Sequence, residues 1–326
     1  MPGLKISGAG FALPKKIVTN DDMREFIDTS DEWIYSRTGI KTRHIIGADE
    51  AAHTLAIEAS KKAIETAEKS DPDFSKDKIK AVIVGTMTSD YVFPSIACIL
   101  QKELGLSNEI KAFDLSAACT SFVYALQTTF EILNAEHSGY ILTVGAECMS
   151  KVLNFKDRAT CVLFGDGAGS VIVKWDDSPD SVFKEVSGTE GNLTDLYCKN
   201  PRENVDDETA DGYLHMNGGA VYMFATGALK KAVNKLLDET GNTMDDIGIV
   251  VCHQANARII NHVKKRFPGH EDKFFMDLEH FANTSAASVG IALADVYERE
   301  LIRPGMKIIL ASFGAGLSWN GILMSV

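Results

Sequence analysis

The run IKAVIVG (Ile79–Gly85) is apolar at nearly every position, with β-branched residues at Ile79, Val82, Ile83 and Val84. A strand that is apolar on both faces is covered on both, as in a parallel sheet with helices above and below. Upstream, TLAIEASKKAIETA (residues 54–67) places Ala and Ile on one helical stripe and Lys and Glu on the other. Downstream, YILTVG (residues 140–145) is a second strand of the same kind. Strands of this type alternating with amphipathic helices predict an α/β fold with a largely parallel or mixed sheet.

The same pattern then recurs. Lys61-Lys62-Ala63 leads to Asp77-Lys78-Ile79 and AVIVG, and Lys230-Lys231-Ala232 leads to Asp245-Asp246-Ile247 and GIVVCH. The stretch from Asp114 through Cys119 to Ser121 is echoed by Asp277-Leu278 and Asn283-Thr284-Ser285. Gly139-Tyr140-Ile141-Leu142 is echoed by Gly305 through Leu310. Correspondences in the same order predict an internal duplication, with halves at residues 1–175 and 176–326. Residues 176–211 are acidic and broken by Gly, Pro and Asn, and read as a surface excursion at the start of the second half.

Composition narrows the function classes. The chain has 326 residues and a formal net charge of −12, which argues against a nucleic-acid partner, because phosphate affinity comes from clustered Lys and Arg. Six cysteines without a CxxC pair fit neither a zinc ribbon nor a disulfide scaffold, and no metal site is expected. The N-terminus lacks the apolar core of a secretory signal. Residues 308–326 are uncharged, but Gly314, Gly316, Trp319, Asn320 and Gly321 break them, so two buried strands around a turn fit better than a membrane span. A cytoplasmic protein with reduced thiols and no membrane partner is expected.

Three side chains carry candidate chemistry. Cys119 lies at a strand-to-helix junction, ahead of the apolar TSFVYALQTTFEIL. At a helix start the dipole favours a thiolate, although free Cys is also a common small core residue. His253 follows the strand ending at Cys252, on the sheet edge where α/β folds bind ligands; a structural histidine is the alternative. Asn283 sits in a turn-like FANTS and reads equally as a capping residue, except that the repeat places it opposite Cys119. GDGAG (residues 165–169) is followed by β-branched residues and no Lys-Ser/Thr, so it is neither a Rossmann nor a P-loop motif. FGAGL (residues 313–317) is suited to bringing backbone N–H groups near a substrate oxygen.

With Cys119 in DLSAACTSFVYAL, His253 in CHQANARI, Asn283 in ANTSAAS and the late FGAGLSW, the chain closely resembles β-ketoacyl-acyl-carrier-protein synthase III. DEWIYSRTGIKTRH, VFPS and DRATCVLFGDGAG extend the resemblance along its length. It implies a thiolase-like fold of two similar halves in alternating α and β layers, a homodimer, and an acyltransferase. The reaction implied is decarboxylating condensation of a short acyl-CoA with malonyl-acyl-carrier protein, initiating fatty-acid synthesis without a separate cofactor. A same-fold enzyme of specialised (polyketide or quinolone-like) metabolism is the alternative, and a Cys-His-Asn hydrolase a more distant one.

By position, the resemblance makes Cys119 the nucleophile and His253 and Asn283 the holders of the malonyl thioester carbonyl. The N–H groups of Cys119 and Gly316 become the oxyanion hole. Trp33, Arg37 and Arg158 become the CoA adenine site, and Asn256 and Arg258 the pantetheine tunnel. Phe93 becomes a residue lining the partner's acyl pocket. Gly219 stands where the family usually carries Asn, and Met223 where it often carries Lys. The basic run Arg258, Lys264, Lys265 and Arg266 suits docking of an acidic carrier protein, or is an ordinary solvated helix face.

Overall fold

The computed structural model describes residues 3–200 and 211–326. The first half runs β1 (Gly3–Ala12), then β2 (Lys16–Thr19), α1 (Asp31–Thr38) and β3 (Thr42–Ile45), in which β2 and β3 pair antiparallel around α1. It continues through α2 (Ala52–Ser70), β4 (Ile79–Gly85), α3 (Ile96–Glu103), β5 (Lys111–Leu115), α4 (Ser121–Glu136), β6 (Tyr140–Cys148) and β7 (Asp166–Asp176). The second half holds β8 (Phe183–Thr189), an antiparallel pair of β9 (Leu196–Cys198) and β10 (Leu214–Met216), α5 (Gly218–Thr240), β11 (Ile247–Cys252) and α6 (Ala257–Lys264). It ends with β12 (Phe274–Phe275), α7 (Leu278–Phe281), α8 (Ala287–Glu298), β13 (Lys307–Gly314) and β14 (Ser318–Ser325).

The two five-stranded sheets have the same plan. One is ordered β1-β7-β6-β4-β5 and the other β8-β14-β13-β11-β12. In each, the two pairings that flank the repeat strand (β4 or β11) are parallel, and the remaining two are antiparallel. The duplication read from short sequence echoes is therefore one of topology. One expectation needs correcting. Residues 176–211 are not merely a surface excursion, because β8 within them is the edge strand that pairs with β14; residues 201–210 lie outside the described residues.

The layers follow from which helix faces are apolar. Helix α2 is amphipathic and covers the outside of the first sheet with Ala56, Ala59, Ala63 and Ala67, while α5 and α6 cover the outside of the second. Helices α4 and α8 fill the middle, and α8 is buried without a break from Ala287 to Val296. A helix apolar all round must be enclosed on all sides. Phe122 is wholly buried there, a contribution on the order of 2 kcal/mol. The GDGAG run has its explanation here. A Cβ on Gly169 would stand 2.2 Å from the Gly290 carbonyl carbon and the Ile291 nitrogen, so these glycines let β7 pass closely under α8. No helix among the described residues is long and apolar enough to cross a membrane.

Candidate active site

The C-terminal ends of β5 and β11 open on one cavity of about 550 Å³, lined by Cys119, His253 and Asn283 together with Trp33, Arg37, Arg158, Asn256 and Arg258. Residues of both halves thus share one wall. Leaving β5, the chain makes a single 3₁₀ turn, Ala118–Thr120, before α4 begins. Ala118 has φ 51°, left-handed backbone that is rare for a residue with a Cβ, and this sharp turn presents Cys119 at the helix start. The position agrees with the sequence reading, but the ionisation state does not. Burial pushes the Cys119 thiol up to about 12 and outweighs the opposing hydrogen bond from Ser285, so the resting group is a thiol.

His253 is held by its backbone N–H, which donates to the Ala311 carbonyl at 2.8 Å, and by Phe313, whose ring lies 5.1 Å from the imidazole at 63°. Burial lowers its pKa to about 3, so the imidazole is neutral. Nδ1 lies 2.6 Å from Ser288 Oγ, which also accepts the Gln254 N–H at 3.1 Å. With Gln254 already donating to the oxygen, the arrangement suits the serine proton going to Nδ1; the ring proton is then on Nε2, and the free edge of the ring is a donor.

Asn283 is fixed by backbone pairing to the chain entering GDGAG: its N–H donates to the Leu163 carbonyl and its carbonyl accepts from the Gly165 N–H, both at 3.0 Å. Its Oδ1 accepts the Ser285 N–H at 2.8 Å, leaving the amide NH₂ as the free function. Ser285 itself places Oγ 3.3 Å from Cys119 Sγ. A neutral histidine edge and an amide are therefore both donors beside a nucleophile, the equipment for stabilising negative charge on an oxygen.

The remaining expected residues separate. The guanidinium carbons of Arg37 and Arg158 each lie 4.5 Å from the Trp33 ring centroid. Asn256 caps α6 through the Arg258 N–H and donates to the Arg37 carbonyl, so it joins the two ends of the cavity mouth. Arg258 also faces a neighbouring cleft with Lys265 and Arg266; Lys264 does not line it. Phe93 is 82% exposed on the loop before α3 and does not line the cavity. Gly314 and Ala315 are in the cavity wall, whereas Gly316 is not, and its carbonyl accepts the Asn192 N–H at 2.6 Å. A Cβ on Gly314 would stand 2.9 Å from the Cys119 nitrogen, so this glycine keeps the Cys119 N–H uncovered.

Ser285 and Ser288 escaped the sequence reading, although both belong to the quoted ANTSAAS. Gly219 lines the cavity, while Met223 is exposed on α5.

Residues 113–191 match the 3-oxoacyl-[acyl-carrier-protein] synthase III model and residues 237–326 match the model of its C-terminal part. Similar proteins include the β-ketoacyl-[acyl-carrier-protein] synthase III of Clostridium acetobutylicum, 40% identical over 99% of both chains. That of Caldanaerobacter subterraneus is 41% identical over 96% of this chain and 95% of its own. Among solved structures, 3-oxoacyl-[acyl-carrier-protein] synthase III from Aquifex aeolicus superposes with a TM-score of 0.90 at 34% identity, covering 99% of this chain and 100% of the other. The priming β-ketosynthase of the R1128 polyketide pathway gives 0.90 at 33%, covering 99% and 96%. The chain belongs to the β-ketoacyl-acyl-carrier-protein synthase III family.

Proposed function

We propose that this chain condenses a short acyl-CoA with malonyl-acyl-carrier protein, releasing CO₂ and giving a 3-oxoacyl-acyl-carrier protein that starts fatty-acid synthesis. The observation that carries the reading is the joint presence of Cys119, His253 and Asn283 on one cavity wall. Cys119 Sγ forms a bond to the acyl carbonyl carbon, the bond to the CoA sulfur breaks, and the thiol proton leaves with CoA. His253 Nε2–H and the Asn283 amide then hold the malonyl thioester oxygen. As the carboxylate leaves as CO₂, its electron pair passes into an enolate, whose carbon attacks the acyl carbonyl; the bond to Cys119 Sγ breaks, and the released thiolate takes a proton from solvent to restore Cys119. Neutral donors suit this step, since a carboxylate at either position would repel the enolate.

The flat indole of Trp33 with Arg37 and Arg158 suits an adenine ring, and Asn256 and Arg258 line the path inward. The family chemistry consumes substrates alone, so no separate cofactor is assigned. For the acyl-transfer oxyanion, the Cys119 N–H keeps its place and Ala315 replaces Gly316 as the second donor. Val92 and Phe93, exposed at 97% and 82%, support burial against a second copy of the chain and hence a homodimer. Arg258, Lys265 and Arg266 support a carrier-protein contact beside the cavity mouth. We divide the halves at residues 175 and 176, at the end of β7, and place the reaction in the cytoplasm.

Incubation with acetyl-CoA and malonyl-acyl-carrier protein tests this. A Cys119 acyl adduct by mass spectrometry, followed by CO₂ release, is expected. Cys119→Ser should lower acyl transfer by at least about 10³-fold, because a hydroxyl is a far weaker nucleophile at neutral pH. Failure to acylate with any short acyl-CoA overturns the reading. Acylation without condensation on malonyl-acyl-carrier protein favours the specialised alternative, which the R1128 likeness supports.

A further inference from the structure

We propose that Ser285 is a positioning residue for the nucleophile, its hydroxyl donating to Cys119 Sγ and holding the sulfur, as thiolate, toward the incoming acyl carbon. The proposal rests on Cys119 being the nucleophile and adds a group that the cysteine, histidine and asparagine roles do not require. Three observations carry it. The Oγ–Sγ distance of 3.3 Å is within hydrogen-bond range for sulfur, and once the thiol has lost its proton only the serine can be the donor. The serine is fully buried and lines the same cavity as Cys119, so its hydroxyl is held inside the site and not at the surface. Its backbone is held on both sides, the N–H by Asn283 Oδ1 at 2.8 Å and the carbonyl by the Ser288 N–H at 3.1 Å.

The backbone at Ser285 makes the choice of residue informative. Its φ of 50° lies in the left-handed region, where glycine is the unstrained occupant and a side chain carries a cost. A side chain retained in that conformation, with its one polar atom against the reactive sulfur, is explained by what the hydroxyl does. The same turn also binds Asn283 to Ser285, so the amide and the thiol are held by one residue. Burial raises the thiol's pKa, and this hydroxyl is the hydrogen-bonding side chain that opposes it.

The test measures alkylation of Cys119 by iodoacetamide, read on the Cys119 peptide by mass spectrometry so that the exposed Cys98 and Cys198 do not interfere. Wild type, Ser285→Ala and Ser285→Gly are compared from pH 6 to 10. Both variants should react about ten-fold more slowly at pH 7, with the profile displaced to higher pH. Ser285→Gly relieves the backbone and keeps the fold, so it separates hydroxyl from conformation. Wild-type reactivity and pH profile in Ser285→Gly overturn the proposal, whatever Ser285→Ala does. Because alkylation needs no acyl donor, it reads this role even if acyl transfer fails, and that failure would count against the function alone.

Discussion

Ser288 shows how one hydroxyl decides what a histidine can do. A buried imidazole that has lost its charge still has two tautomers, and only the one protonated at Nε2 presents a donor to the cavity. Ser288 Oγ, already accepting from Gln254, selects it through Nδ1. Ser288→Ala should leave His253 neutral but unspecified in tautomer. We expect decarboxylation to fall about 10²-fold, the scale on which losing one oriented donor acts, with acylation of Cys119 reduced much less. Single-turnover adduct formation and CO₂ release, measured separately, check this; equal loss in both would point to misfolding or to a role in acyl transfer. At this scale the sequence was partly legible. Cys119 and His253 could be found because each follows a strand that ends at the ligand-binding edge. Ser285 and Ser288 could not, because the direction of their side chains depends on a left-handed φ at Ser285 and on the register of α8, neither of which leaves a periodic trace.

Among the elements, β4 and β6 are joined at their C-terminal ends by a buried carboxyl. Glu147 accepts the Met87 N–H at 3.1 Å and the Thr88 hydroxyl, while Thr88 Oγ1 accepts the Cys148 N–H at 2.8 Å. Met87 lines the cavity, so this clamp sets part of the wall. Burial pushes the Glu147 carboxyl from 4.5 up to about 8. A carboxyl whose folded pKa lies above its unfolded one favours the fold fully below the unfolded value and loses that contribution as pH rises through the folded value. Wild type should therefore lose stability relative to Glu147→Gln between about pH 4.5 and 8, by on the order of a few kcal/mol. Thermal melts of both proteins at pH 5 and pH 8 measure it, and a constant difference between them would contradict the assignment. The strands themselves were evident from IKAVIVG and YILTVG. The clamp was not, because nothing in GAEC marks a glutamate as buried. Within residues 176–211 the surface reading missed β8 for a related reason: β8 is an edge strand, and its identity comes from pairing with β14.

For the whole molecule, the relevant physics is long-range charge. The chain carries a net −12, yet Arg258, Lys265 and Arg266 converge on a cleft beside the mouth of the cavity. An acidic carrier approaching an acidic enzyme needs such a local reversal of sign. The double variant Lys265→Glu/Arg266→Glu should lower kcat/KM for malonyl-acyl-carrier protein about ten-fold at low ionic strength. The deficit should shrink toward 1 M salt, where screening acts over about 3 Å. A deficit independent of salt would show that these residues act by packing and not by steering.

The sequence alone determined the class of element, the duplication and the settings of Cys119 and His253, because periodicity and strand ends are local properties of the chain, and the duplication and the family motif picked out Asn283. Tertiary structure decided the rest. Enclosure between two sheets left Cys119 a thiol where a helix start alone favours a thiolate, and it kept His253 uncharged, since desolvation depends on what surrounds a group and not on its neighbours in sequence. The turn between β13 and β14 placed Ala315, and not Gly316, in the cavity wall. The packing of the two halves brought Ser285 of one against Cys119 of the other, across 166 residues of chain.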